Sequence, residues 1–146
     1  MLDLVHYYAQ VPGTHPEYKT EGAGAFDLYA VDGASLQPGE VHKIHTGLWI
    51  ALPSQTMGLM AIRSSYSKKG LTLVNSVGYI DSDYRGEIIA NVINLSNAPV
   101  ELVGGHRFAQ LAILPVVKPY FKSVPNPGLL TQPARGGKGG FGSTGE

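Results

Sequence analysis

The sequence predicts an all-β protein, a jelly-roll-like barrel or sandwich with one short helix and a flexible glycine-rich C-terminal tail. Three observations carry that expectation. Nineteen glycines and ten prolines are spread along the 146 residues, giving turn signals roughly every ten residues, as in all-β barrels and sandwiches. The runs between them are short and rich in branched residues, as in EIIANVI at 87–93, a composition that suits strands. The last thirteen residues, ARGGKGGFGSTGE, contain six glycines and cannot build a core. One β domain over residues 1–133 and a lid over residues 134–146 are therefore expected, with no internal repeat and no linker before the tail.

Taken in order, strands are expected at 2–8, 45–52, 58–62, 71–74, 87–94, 100–103 and 107–117. The segment HTGLWIAL at 45–52 is largely apolar and, with 87–93, reads as a buried strand. In GAGAFDLYA at 22–30, an apolar alternation places Leu28 and Ala30 on the face opposite Asp27 and Tyr29,. Only SSYSKK at 64–69 looks helical, opened by a serine N-cap and closed by Gly70,.

Composition narrows the function. Apolar residues make up 43% and charged residues 15%, and eleven basic residues balance eleven acidic ones. Without net positive charge the chain lacks the footprint of a general nucleic-acid binder; a small, charged, metal-neutralised ligand fits better. There is no cysteine, hence no disulfide framework and no thiolate metal site,. The N-terminus MLDLVHYYAQVPG has no basic n-region and is not expected to be a signal peptide,. No apolar run approaches the roughly 18 residues of a membrane span. The expected compartment is the cytoplasm, or the host cytoplasm for a viral chain.

Arginine is scarce. Arg63, Arg85, Arg107 and Arg135 are the only four, and each lies in a distinctive string, which suggests phosphate or carboxylate forks. In the tail, Arg135 with Ser143 and Thr144 can grip phosphate oxygens, while Phe141 can stack on a flat base. A P-loop is excluded there, because Gly137-Lys138 is followed by Gly139,. Arg63-Ser64-Ser65, leading into a helix start, forms a candidate anion site. Asp27 is a candidate carboxylate for ordering water around Mg²⁺, an ion that prefers few carboxylates plus phosphates and waters. Asp81 and Asp83 flank Ser82 in NSVGYIDSDYRGE; the rest of a calcium loop is missing, and either carboxylate could act as general base on a water.

Five of these strings, AGAFDLYA, RSSYSKKG, GYIDSDYRGEI, GHRFAQL and RGGKGGFGSTG, occur in this order between residues 23 and 145. Together they resemble the five motifs of the homotrimeric dUTP diphosphatases (dUTPases). The resemblance implies a jelly-roll protomer in a threefold trimer, with active sites between subunits and Mg²⁺-assisted hydrolysis of dUTP to dUMP and pyrophosphate. By the same resemblance, Asp81 activates the water that attacks the α-phosphorus, and Asp27 holds a magnesium-bound water. Arg63, Ser64, Ser65 and Gln110 bind phosphates. Asn75 and the backbone of Tyr79, Ile80 and Asp81 read the uracil edge, the backbone near Ile89 closes the other side, and Tyr84 packs under the deoxyribose. Arg135, Ser143 and Thr144 hold the γ-phosphate, Phe141 stacks on the base from a neighbouring subunit, and Gly142 belongs to the same contact.

Two positions depart from the family pattern. His106 stands where the fourth motif usually has an acid, so a trimer contact sensitive to pH near about 6–7 is expected there. Phe108 replaces an aliphatic residue, a change expected to affect packing. Two rival readings are a dCTP deaminase-type relative, which would carry a glutamate for deamination near the third motif, and a nucleotide-sensing regulatory binding protein.

Overall fold

Strand β8 (Glu87–Asn94) displays the rule that builds the core: Ile88, Ala90, Val92 and Asn94 turn inward, while Ile89 and Asn91 face out,. The computed structural model describes residues 4–130. It contains β1 (Tyr7–Ala9), β2 (Phe26–Tyr29), β3 (Ala34–Leu36), β4 (Val41–Ile50), β5 (Thr56–Ile62), α1 (Ser64–Ser67), β6 (Leu71–Leu73), β7 (Gly78–Asp81), β8, β9 (Val100–Leu102) and β10 (Arg107–Pro115). A 3₁₀ turn follows at Pro127–Leu129.

All strand pairs are antiparallel. One four-stranded sheet has the order β1-β4-β8-β6, a second β2-β10-β5-β7, and β3-β9 form a two-stranded sheet. The jelly-roll expectation holds. The core between the sheets is continuous, with Leu28, Leu36, Leu71, Leu73, Ile88, Val92, Phe108 and Leu111 at 2% exposure or less. Phe108, the aromatic replacement in the fourth motif, is fully buried there.

Several local expectations shift. Strands β2, β3 and β7 were not foreseen as strands. The first strand begins at Tyr7 rather than at residue 2, and β4 starts at Val41, because its exposed opening VHK carries little apolar signal. Strand β8 is half-buried rather than wholly buried. The serine N-cap is also corrected: Arg63, extended at φ −68° and ψ 146°, occupies the cap position and makes no side-chain cap bond. Ser64 is already helical, in a helix of a single turn.

Candidate active site

Three neighbouring strands assemble one half of the site. In β2, Asp27 lies opposite Gln110 of β10, and Gln110 lies opposite Ala61 of β5. Two residues beyond Ala61, Arg63 is held by its own N–H donating to the Phe108 carbonyl at 2.9 Å. Arg63 Nε then meets Asp27 Oδ1 at 3.0 Å, and Arg107 Nη1 donates to Asp27 Oδ2 at 3.1 Å. The carboxylate is only 14% exposed, while the two guanidinium groups remain partly open to solvent. One acid between two permanent cations leaves the cluster with a positive excess, suited to phosphate oxygens. Beside it opens a cleft of about 380 Å³ lined by Arg63, Ser65, Lys69, His106 and Arg107, with Tyr29 on its wall.

The other half is built on the segment between β7 and β8. Tyr79, Ile80, Asp81, Tyr84, Glu87 and Ile89 surround a hollow of about 140 Å³. Asp81 ends β7 and is exposed. The turn after it is fixed by Tyr84 N–H donating to the Asp81 carbonyl at 3.1 Å. It is tightened by Arg85 Nη1, which donates to the carbonyls of Ser82 and Tyr84 at 2.7 and 2.9 Å. Arg85 is therefore a turn clamp. The Tyr84 hydroxyl donates to the Glu87 carbonyl at 2.7 Å, which lays the ring across Gly86. A Cβ on Gly86 would stand 2.5 Å from that hydroxyl oxygen, so any larger residue there would push the Tyr84 ring from its place. Tyr79, Tyr84 and Ile89 leave apolar surface exposed around the hollow, as a surface meant to be covered does. Asn75 is exposed in the turn before β7, where its carbonyl accepts from Val77 N–H at 2.7 Å.

The two halves do not meet within one chain. Asp81 pairs with Met57 on β5, and Arg63 lies six residues farther along, roughly 20 Å at the rise of a strand. The sequence expectations thus divide cleanly. Asp27, Arg63, Ser64, Ser65 and Gln110 gather near the C-terminal end of β5, whereas Asp81 and Ile80 pair with Met57 and Gly58 near its start, Tyr79 pairs with Leu59 at its middle, and Tyr84 and Ile89 join these three around the hollow. Arg135, Phe141, Gly142, Ser143 and Thr144 lie outside the described residues. Sequence reasoning gave Lys69 and Glu87 no role, although Lys69 lines the cleft and Glu87 the hollow; both stood inside motif strings, RSSYSKKG and GYIDSDYRGEI. Arg107 was visible through its scarcity and its place in GHRFAQL, but was given no role.

The jelly roll thus carries an arginine–carboxylate cleft and a tyrosine-walled hollow, surfaces whose chemistry suits phosphate oxygens and a flat ring,. The chain belongs to the dUTPase family, whose model matches residues 12–145. It is 42% identical over 131 residues to the deoxyuridine 5'-triphosphate nucleotidohydrolase of Anaeromyxobacter sp., covering 89% of this chain and 86% of that one. It is 44% identical over 134 residues to the enzyme of the same name from Desulfitobacterium hafniense, with the same coverage. In fold it resembles the dUTPase of Staphylococcus bacteriophage 80alpha with dUPNHPP, at a TM-score of 0.86 and 22% identity over 99% of this chain and 100% of that one. A dUTPase from phage phi11 of S. aureus, described with a structural Mg(II) ion, matches with a TM-score of 0.76 and 21% identity over 85% of this chain and 98% of that one.

Proposed function

We propose that the chain hydrolyses dUTP to dUMP and pyrophosphate, keeping uracil out of DNA and supplying dUMP for dTMP synthesis. The observation that carries the reading is the common hollow of Asp81, Tyr84, Tyr79 and Ile89, which sets a carboxylate beside a surface that a nucleoside can cover. Asp81 takes a proton from water as the water oxygen bonds to the α-phosphorus, and the bond from that phosphorus to the bridging oxygen breaks, releasing pyrophosphate. Arg63, with Ser64, Ser65 and Gln110, holds phosphate oxygens and stabilises charge that develops on them. The Tyr79–Ile80 backbone and Asn75 read the uracil edge, with the backbone near Ile89 opposite, and a narrow hollow leaves no room for a thymine methyl. Tyr84 against the sugar excludes a 2′-hydroxyl. Arg135, Ser143 and Thr144 take the γ-phosphate, Phe141 covers the base, and Gly142 is a further substrate-binding residue.

Mg²⁺ fits this donor set only as an ion carried chiefly by the substrate. Both oxygens of Asp27 are already ion-paired with arginines, and among the described residues no group of three or more potential metal-ligating side chains occurs. Asp27 retains lone pairs for a metal-bound water, and the ion when bound supplies neutralisation of phosphate charge.

The proposed assembly is a homotrimer whose sites take residues from different chains. Three phosphates and a nucleophilic water must lie in contact at once, within about 3–3.5 Å of their partners, which the two separated halves of one chain do not allow. A second support is the stretch after β10, where Val117, Tyr120 and Phe121 are at least nine-tenths exposed, a liability unless another surface covers them. None of the described helices is long and apolar enough to cross a membrane, and we place the enzyme with the cytoplasmic nucleotide pool. The test is pyrophosphate release with Mg²⁺ from dUTP, dCTP, dTTP and UTP. Strong preference for dUTP is expected; ammonia release from dCTP, or hydrolysis of none, would move the reading to a deaminase or to a nucleotide-sensing protein.

A further inference from the structure

Between His45 and Trp49 the β4–β8 ladder is broken by a bulge: His45 pairs with Ile89, and Trp49 already pairs with Glu87. The bulge leaves backbone groups without ladder partners, and side chains take their place. Thr46 Oγ1, buried, donates to the Ile88 carbonyl at 2.6 Å. Gly47, at φ +63°, donates its N–H to Glu87 Oε1 at 2.9 Å. The second carboxylate oxygen of Glu87 lies 2.9 Å from His45 Nδ1. The Glu87 side chain is 15% exposed and that of His45 54%, so a largely sheltered carboxylate is secured from the solvent side by an imidazole. Glu87 also lines the hollow of Asp81 and Tyr84, and its carbonyl receives the Tyr84 hydroxyl.

We infer that His45 and Glu87 are positioning residues for sugar discrimination. The pair anchors the first residue of β8, and the carbonyl of that residue fixes the Tyr84 ring at the height that excludes a 2′-hydroxyl. The inference rests on the proposed role of Tyr84 and goes beyond it, because neither His45 nor the Glu87 carboxylate needs to touch the nucleotide. With the imidazole gone, Glu87 keeps only the Gly47 N–H, the start of β8 gains freedom, and the ring can tilt to admit a ribose.

The full-length chain, H45A, H45Q and Y84F are compared by kcat/KM for dUTP and for UTP, with thermal unfolding recorded alongside. H45A and Y84F are each expected to lower the dUTP-to-UTP preference about tenfold, equivalent to about 1.4 kcal/mol, while H45Q, whose amide can still donate to Glu87, stays within about twofold. Should H45A fail to fold, E87Q reads the same link. A folded H45A with an unchanged preference overturns the inference, as does an equal loss on both nucleotides, which marks a purely structural staple. If the unaltered chain hydrolyses dUTP without preferring it to UTP, the role of Tyr84 falls first and the inference with it.

Discussion

Asp81 closes β7 opposite Met57, exposed at the rim of the hollow shared with Tyr84. A base in this position needs only an ionised oxygen facing a water. Asp81→Asn keeps the shape and removes the proton acceptor, so kcat is expected to fall by about 10²–10⁴-fold. Affinity for a non-hydrolysable dUTP analogue, measured by titration calorimetry, should change little. Retention of normal kcat removes Asp81 as the base. The grouping of Tyr79, Ile80, Asp81 and Tyr84 was legible in the sequence because the third motif is contiguous, and a single turn brings them to one hollow. The cluster around Asp27 was not legible as a cluster. Arg107 and Asp27 are 80 residues apart, and only the β2-β10-β5 register brings them and Arg63 to one point. Reading Asp27 by itself suggested a water-holding carboxylate; the fold adds that it first serves to aim two guanidinium groups.

Elements were legible where burial is strong and turns are sharp. Strand β8 has the expected bounds of 87–94, since every second residue from Ile88 enters the core. Strand β2 shows its alternation over only four residues, β3 at three residues is too short for a period-2 pattern to stand out, and β7 is embedded in a motif that reads as a loop. What holds these short pieces is partly polar. Asn94, fully buried at the end of β8, donates from Nδ2 to the carbonyls of Leu36 in β3 and Ala98 before β9, at 2.9 and 2.8 Å. Its Oδ1 accepts from Ser96 N–H at 2.9 Å. Asn94→Ala takes the donor from the buried Leu36 carbonyl, whereas the Ala98 carbonyl keeps Ser96 Oγ; the expected cost is about 1–3 kcal/mol in urea unfolding with little change in m. A loss below about 0.5 kcal/mol would mean that another donor satisfies the β3 end.

At the scale of the whole molecule the distribution of function over chains is the deciding question. Removing residues 134–146 should leave assembly unchanged by sedimentation and lower kcat/KM for dUTP by at least about a hundredfold, because a grip made in the reacting complex contributes most there; full activity after removal would free the tail of its role. The separation of Asp81 from Arg63 along β5 leads to a sharper test. If each site takes Asp81 from one chain and Arg63 from another, Asp81→Asn and Arg63→Ala chains are each inactive alone but complementary together. When equal amounts are unfolded, mixed and refolded, each site draws its two residues independently, so about one quarter of sites should receive both intact groups. Activity recovering toward about a quarter of the unaltered enzyme is the expected outcome, with no recovery when the folded variants are mixed without subunit exchange. A refolded mixture that stays inactive, while refolded unaltered chain regains activity, would place both residues of each site on a single chain. That result would require β5 and the β7–β8 turn to bend toward one another on binding, against the register that now holds them apart.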